Sequence, residues 1–195
     1  HVNFSLNGAD GKNALNDASG THGLAALAMH SIGGMLDHHE ALTAICAPTV
    51  NAYKRLKPGQ MAGVWANWGI EHRGATVRVP SERNAATRIE YRLPDGAANP
   101  YLAVAAVLRA ALLGHQNGSM PPSIEEGDCF ETANTDRRTP ANLGAALDAL
   151  EADTAFVEAF GTELVENFVA VKRDEWQKFC DAITDWELNY YLPFV

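Results

Sequence analysis

The chain has little with which to cross-link itself. Its 195 residues hold three cysteines, Cys46, Cys129 and Cys180, far apart and without a CxxC pair. An odd, scattered set argues against a disulfide framework and points to reduced thiols in a cytoplasm. Positive charge is also scarce: the net charge is −9 at pH 7, which speaks against sequence-independent affinity for nucleic acid or an anionic membrane. No apolar run approaches the roughly 18 residues a membrane span needs, so no membrane partner is expected. There is no internal repeat, low-complexity tract or interdomain linker. No methionine or targeting segment precedes His1, so the chain is expected to begin inside a longer one. The composition that remains, 47% hydrophobic, can bury a core sufficient for one domain or a large part of one.

Against this acidic background the basic residues are concentrated. Six of the ten arginines, Arg55, Arg73, Arg78, Arg83, Arg88 and Arg92, fall in one window with Lys54 and Lys57. Only Glu71, Glu82 and Glu90 offset them, so residues 54–92 carry +5 and the rest of the chain −14. Guanidinium groups offer planar, bidentate donors to carboxylate and phosphate, so the window suits a small polyanion.

Hydrophobic periodicity places these residues. His1–Leu6 alternates strictly, with His1, Asn3 and Ser5 on one face and Val2, Phe4 and Leu6 on the other, as in a half-buried strand. NGADG at 7–11 is turn chemistry. Thr21–Leu36 reads as an apolar helix weakened by Gly33 and Gly34, and His38–Cys46 as a second helix ended by Pro48. Thr76–Val79 and Thr87–Leu93 alternate as strands, the latter with Arg88, Glu90 and Arg92 sharing a face. Charges on a central strand are costly unless that face lines a polar site or pairs with ions. Asn99-Pro100 opens a helix running to Leu113, residues 118–138 are loop-like, and Thr139-Pro140 opens another helix with Leu143, Leu147 and Leu150 at helical spacing. A last helical stretch, Thr162–Tyr191, places Leu164, Val165, Phe168, Val169, Trp176, Phe179, Ile183 and Trp186 on a broad apolar face. The expected fold class is α+β, an antiparallel sheet covered by helices that accumulate toward the C-terminus.

On residues alone, His1 and Glu90 are possible metal ligands and the arginines anion clamps, although a lone strand histidine is more often structural. Hard divalent ions prefer carboxylate oxygen beside substrate phosphates, and a metal, an acid and an arginine fan together suggest phosphoryl transfer. HVNFSL, NAYKRLKPG, EHRGATVRVP and RIEYRLPDGAANPYLAVAAVL occur in the order and spacing of the catalytic domain of glutamine synthetases. The tail EWQKFCDAITDWELNYYL also resembles that family's C-terminal helix, so the resemblance covers nearly the whole chain. It implies that residues 1–195 form the C-terminal portion of the catalytic domain, an incomplete half-barrel. The N-terminal β-domain and first catalytic strands would lie outside it, with active sites between subunits of a homo-oligomer.

The resemblance also implies roles. His1 and Glu90 would bind Mg²⁺ or Mn²⁺, and Asn3, Phe4 and Ser5 would lie along ATP. Arg55 would grip the glutamate α-carboxylate. Arg73 would serve both the ATP phosphates and the γ-glutamyl phosphate, Arg78 and Arg88 the nucleotide, and Arg92 the γ-carboxylate as it is phosphorylated. In the family's reaction ATP converts glutamate to an acyl phosphate, which an amine attacks with release of phosphate. Alone, the chain is expected to bind anions weakly and catalyse nothing.

Several positions depart from the family pattern. Met61 stands where ammonia-using members carry a glutamate that deprotonates ammonium. A thioether cannot accept a proton but offers adaptable apolar surface, which favours an organic amine over ammonia. Ordinary glutamine synthesis, or a catalytically dead glutamate or nucleotide sensor, are the alternatives. Asn3 replaces a histidine, His72 replaces an asparagine, and Arg83 is the candidate substitute for a missing lysine at 84–87. No tyrosine lies between Tyr101 and Tyr190, so adenylylation of a loop tyrosine is not expected. His38 and His39 should be solvated and point apart. Trp65 and Trp68 are expected to be core, with an aromatic wall for a cationic amine as the alternative. Cys129, without a histidine nearby in sequence, is not expected to be a nucleophile. Glu125, Glu126 and Asp128 should form a solvated loop face.

Overall fold

A computed structural model describes residues 1–60 and 63–194. Four short strands, β1 (Val2–Phe4), β2 (Trp68–Ile70), β3 (Val77–Val79) and β4 (Ile89–Tyr91), form one sheet in the order β1-β4-β3-β2. The helices are α1 (Ala26–Asp37), α2 (His39–Cys46), α3 (Ala52–Arg55), α4 (Pro100–Asn117), α5 (Leu143–Ala152), α6 (Thr154–Phe160), α7 (Thr162–Asp181) and α8 (Asp185–Tyr191). The architecture is α+β, as expected.

The sheet is mixed, which corrects the antiparallel expectation. β1–β4 and β3–β4 are antiparallel, but β2 and β3 run parallel with Trp68 opposite Val77 and Ile70 opposite Val79. The short connection 71–76 re-aims the chain, beginning with Glu71 in the left-handed region at φ 52°. That conformation is rare for a residue other than glycine.

Trp68, Val77, Val79, Ile89, Tyr91 and Leu93 are buried on one sheet face, in the same core as α1, α2, α4 and α5. Helix α1 meets α4 at glycine: a Cβ on Gly34 would lie 2.2 Å from the Ala110 carbonyl, and one on Gly114 2.1 Å from that of His30. Gly34 therefore permits close helix approach; it is not simply a weak point in α1. Asn99 caps α4 by accepting from Tyr101 N–H and Leu102 N–H, and Gly118 closes it at φ 65°.

Other expectations need correction. The helix expected from Thr139 starts at Leu143, capped by Asn142, while Thr139 N–H bonds the Val64 carbonyl. The C-terminal stretch breaks at residues 182–184, and its apolar face is only half used. Val165 and Val169 are buried where α7 packs on α5 and α6, but Leu164, Phe179, Ile183 and Trp186 are exposed. His39 is fully buried, with its Nε2 on the Val64 carbonyl at 3.1 Å, and His38 Nδ1 pairs with Asp153 at 2.6 Å. Neither is solvated. Glu125 is also buried, its carboxylate accepting from Asn67 Nδ2 (2.9 Å) and Asn134 N–H (3.0 Å); Glu126 and Asp128 are exposed. Trp65 and Trp68 are buried, and Trp68 Nε1 donates to the Pro122 carbonyl.

Candidate functional site

The polar face of the sheet gathers the charges that alternation assigned to it. Asn3 lies opposite Glu90, and Arg78 lies opposite Glu90 from the other side, so one row of the sheet carries all three. Glu90 is 6% exposed and fully engaged. Its Oε1 meets His1 Nδ1 at 2.8 Å, and its Oε2 accepts from Arg78 Nη1 at 2.9 Å, with Arg92 Nη1 at 3.2 Å. A carboxylate this buried needs such partners, because an uncompensated charge would cost several kcal/mol. Arg78 Nε and Arg92 Nε are both buried and lack a hydrogen-bond partner among the described residues. They are donors in want of acceptor oxygens.

Glu71 holds Arg78 from the other side through an ion pair, and its second oxygen accepts from Ser81 N–H at 2.6 Å. The Arg78 guanidinium, then this amide, hold the Glu71 carboxyl down at about 2 from its ordinary 4.5. Glu71 entered the sequence reading only as a charge, and no local pattern marks it, since the left-handed turn alone brings it back to Arg78. Arg55, at the end of α3, reaches the exit of β4, with Nη2 3.3 Å from the Leu93 carbonyl and 3.6 Å from Asp95. Arg73 is exposed and has neither hydrogen bond nor ion pair among the described residues. Arg88 stands apart from the Glu90 cluster and pairs with Glu82 at 3.3 Å. Arg83 donates to three backbone carbonyls, those of His22, Pro80 and Glu82. Ser5 and Asn3 are exposed and Phe4 packs against the core. Met61 lies outside the described residues.

His1 also borders a cavity of about 290 Å³ shared with Asp95, Ala98 and Val104. A larger groove of about 530 Å³, between α5 and α7, shares no residue with the cluster. Among the described residues no three His, Cys, Asp or Glu side chains converge as a metal cluster. His1 and Glu90 do fit a hard divalent ion as two of its ligands, one nitrogen and one carboxylate, short of the six such an ion takes. Among the described residues no helix is long and apolar enough to cross a membrane.

The fold and this face define an α+β domain built to present cationic groups around a buried carboxylate. The chain belongs to the glutamine synthetase family: the family model described as glutamine synthetase, catalytic domain, matches residues 1–191. It is 42% identical over 192 residues to a glutamine synthetase of Methanocaldococcus jannaschii, covering 95% of this chain and 42% of that one. A Thermotoga maritima glutamine synthetase is 38% identical, with 98% and 45% covered. Among solved structures, GmaS without ligand superposes with TM-score 0.85 at 35% identity (97% and 44% covered), and a GmaS–ADP complex with TM-score 0.86 at 35% (98% and 45%). The chain thus spans less than half the length of these relatives.

Proposed function

We propose that this chain is the C-terminal portion of the catalytic domain of an ATP-dependent glutamate ligase, which joins the γ-carboxyl of glutamate to an amine. The observation that carries the reading is the buried Glu90 held between His1, Arg78 and Arg92, with two arginine Nε–H donors still lacking acceptors. Buried donors are usually paired, so two of them side by side at one carboxylate suit the oxygens of a bound anion. The family membership and the GmaS–ADP likeness support a nucleotide as the anion.

In this reading Arg92 and Arg78 donate to the oxygens of the γ-carboxylate and the nucleotide phosphates, orienting acceptor and donor in line. Asn3, Phe4 and Ser5 lie along the nucleotide, with Arg88 at its edge. Arg55, steadied by Leu93 and Asp95, binds the glutamate α-carboxylate. Arg73, unengaged among the described residues, neutralises charge on the phosphoryl group as it moves. His1 and Glu90 would hold Mg²⁺ or Mn²⁺, which when bound supplies Lewis-acid neutralisation of phosphate oxygens. The remaining ligands would come from the rest of the longer protein, in a homo-oligomer with active sites between subunits.

For the second substrate, Met61 favours an organic amine over ammonia, because a thioether cannot take a proton from ammonium at neutral pH. Phosphate release by the full-length protein, with Mg²⁺, ATP and glutamate, tests this across ammonium and a panel of small amines. Turnover that requires an organic amine supports the reading; turnover with ammonium alone refutes the amine preference and leaves a glutamine synthetase.

A further inference from the structure

The turn that presents Arg73 is pinned by the two residues that precede it. Glu71 is fixed by Arg78 and Ser81 N–H. His72 is locked in a way its sequence position gave no hint of, and it reaches Gly74 beyond Arg73. Its Nε2–H donates to the Gly127 carbonyl at 2.6 Å, while its Nδ1 accepts from Gly74 N–H at 3.2 Å. The Cys129 thiol closes on Nδ1 at 3.9 Å. These partners suit a ring that donates from Nε2 and accepts at Nδ1.

The ring fits only because its neighbours have no side chains. A Cβ on Gly69 would lie 2.6 Å from His72 Cβ, and one on Gly74 2.9 Å from Cys129 Sγ and 3.2 Å from His72 Cε1. The loop that receives the ring is itself anchored. Glu125 N–H bonds the Trp68 carbonyl, Glu125 accepts from Asn67, and Gly59 N–H bonds the Phe130 carbonyl. Residues 125–130 therefore tie the Arg73 turn to the segment that follows Arg55.

We infer that His72 is a positioning residue for Arg73: by bonding Gly127 it fixes the turn on the loop at 125–130 and so aims the free guanidinium. The inference rests on the ligase reading of Arg73, but the state of the turn can be measured without any turnover. In a His72→Asn variant the shorter side-chain amide reaches only as far as Nδ1 does, so it keeps the Gly74 contact and loses Gly127. The longer amide in His72→Gln reaches the Nε2 position and keeps Gly127.

The test uses the full-length protein with His72→Ala, His72→Asn and His72→Gln. The first readout is the rate of tryptic cleavage between Arg73 and Gly74, followed by mass spectrometry. The second is phosphate release in single variants and in each combination with Arg73→Ala. Loss of the Gly127 bond should speed cleavage about tenfold in His72→Ala and His72→Asn. It should lower kcat about 100-fold, as a misplaced charged group does. His72→Gln should restore most of both, and on an Arg73→Ala background the His72 changes should cost nothing further in kcat. Wild-type cleavage rates in folded His72→Asn would overturn the inference, as would a kcat loss that adds in full to that of Arg73→Ala. If the unsubstituted protein turns over no amine, the ligase reading fails by itself and the cleavage rates still decide whether His72 holds the turn.

Discussion

Removing the Glu90 carboxylate should expose how the site is balanced. In Glu90→Ala, Arg78 keeps Glu71 as its partner, but Arg92 loses its one ion pair among the described residues while its side chain stays only 10% exposed. Breaking a buried pair by deleting one member costs about 3–5 kcal/mol, because the surviving charge is left desolvated and uncompensated. Most of that cost should sit on Arg92. The double variant Glu90→Ala/Arg92→Leu should therefore recover part of it, with a coupling of about 1–3 kcal/mol. Glu90→Gln keeps the shape and one acceptor and should fall between them. Urea denaturation of the full-length variants, without nucleotide or metal, measures these three and Arg92→Leu alone. A Glu90→Ala loss below about 1 kcal/mol would refute the picture of a desolvated network, as would full additivity with Arg92→Leu.

Three further outcomes follow from other parts of the molecule. Burial holds the His39 imidazole at about 4, below its ordinary 6.5. Its neutral form is thus favoured in the fold, and stability is complete above pH 6.5 and lost as pH falls toward 4. The loss amounts to roughly 3 kcal/mol, and His39→Gln, which keeps the Val64 bond, should flatten that limb of the stability–pH curve. Gly34→Ala would drive a methyl into the Ala110 carbonyl at 2.2 Å; separating α1 from α4 should cost about 1–3 kcal/mol in denaturation experiments. Asp95→Asn loosens a half-exposed pair, with Arg55 41% exposed and 3.6 Å away. It should raise the KM for glutamate by no more than about fivefold and leave nucleotide affinity unchanged.

Much of the site was legible because period-2 alternation survives in short strands. His1, Asn3 and Ser5 opposite Val2 and Phe4, and Glu90 and Arg92 opposite Ile89, Tyr91 and Leu93, are laid out as the pattern requires. The parallel pairing of β2 was not legible. Trp-Gly-Ile has no polar or charged residue to mark a face, and its direction turns on a left-handed Glu71 where no glycine signals the turn. His39 read as a surface residue because adjacent helical histidines point apart, and Glu125 because glutamate is mostly exposed; their burial depends on partners at Val64, Asn67 and Asn134 that no local pattern shows. The exposed half of the α7 and α8 stripe shows the converse limit, since periodicity identifies an apolar face but not what covers it.

Activation of glutamate is the step that distinguishes a ligase from a binding protein most directly. Full-length protein incubated with ATP, Mg²⁺, glutamate and hydroxylamine should form the γ-glutamyl hydroxamate, because hydroxylamine attacks an acyl phosphate whatever the natural amine. Formation should require both ATP and glutamate. It should fall about 100-fold or more in Arg73→Ala, whose exposed side chain leaves the fold intact. Absence of hydroxamate from the unsubstituted protein, with ATP still bound, would contradict the ligase reading and identify the cationic face as that of a binding protein.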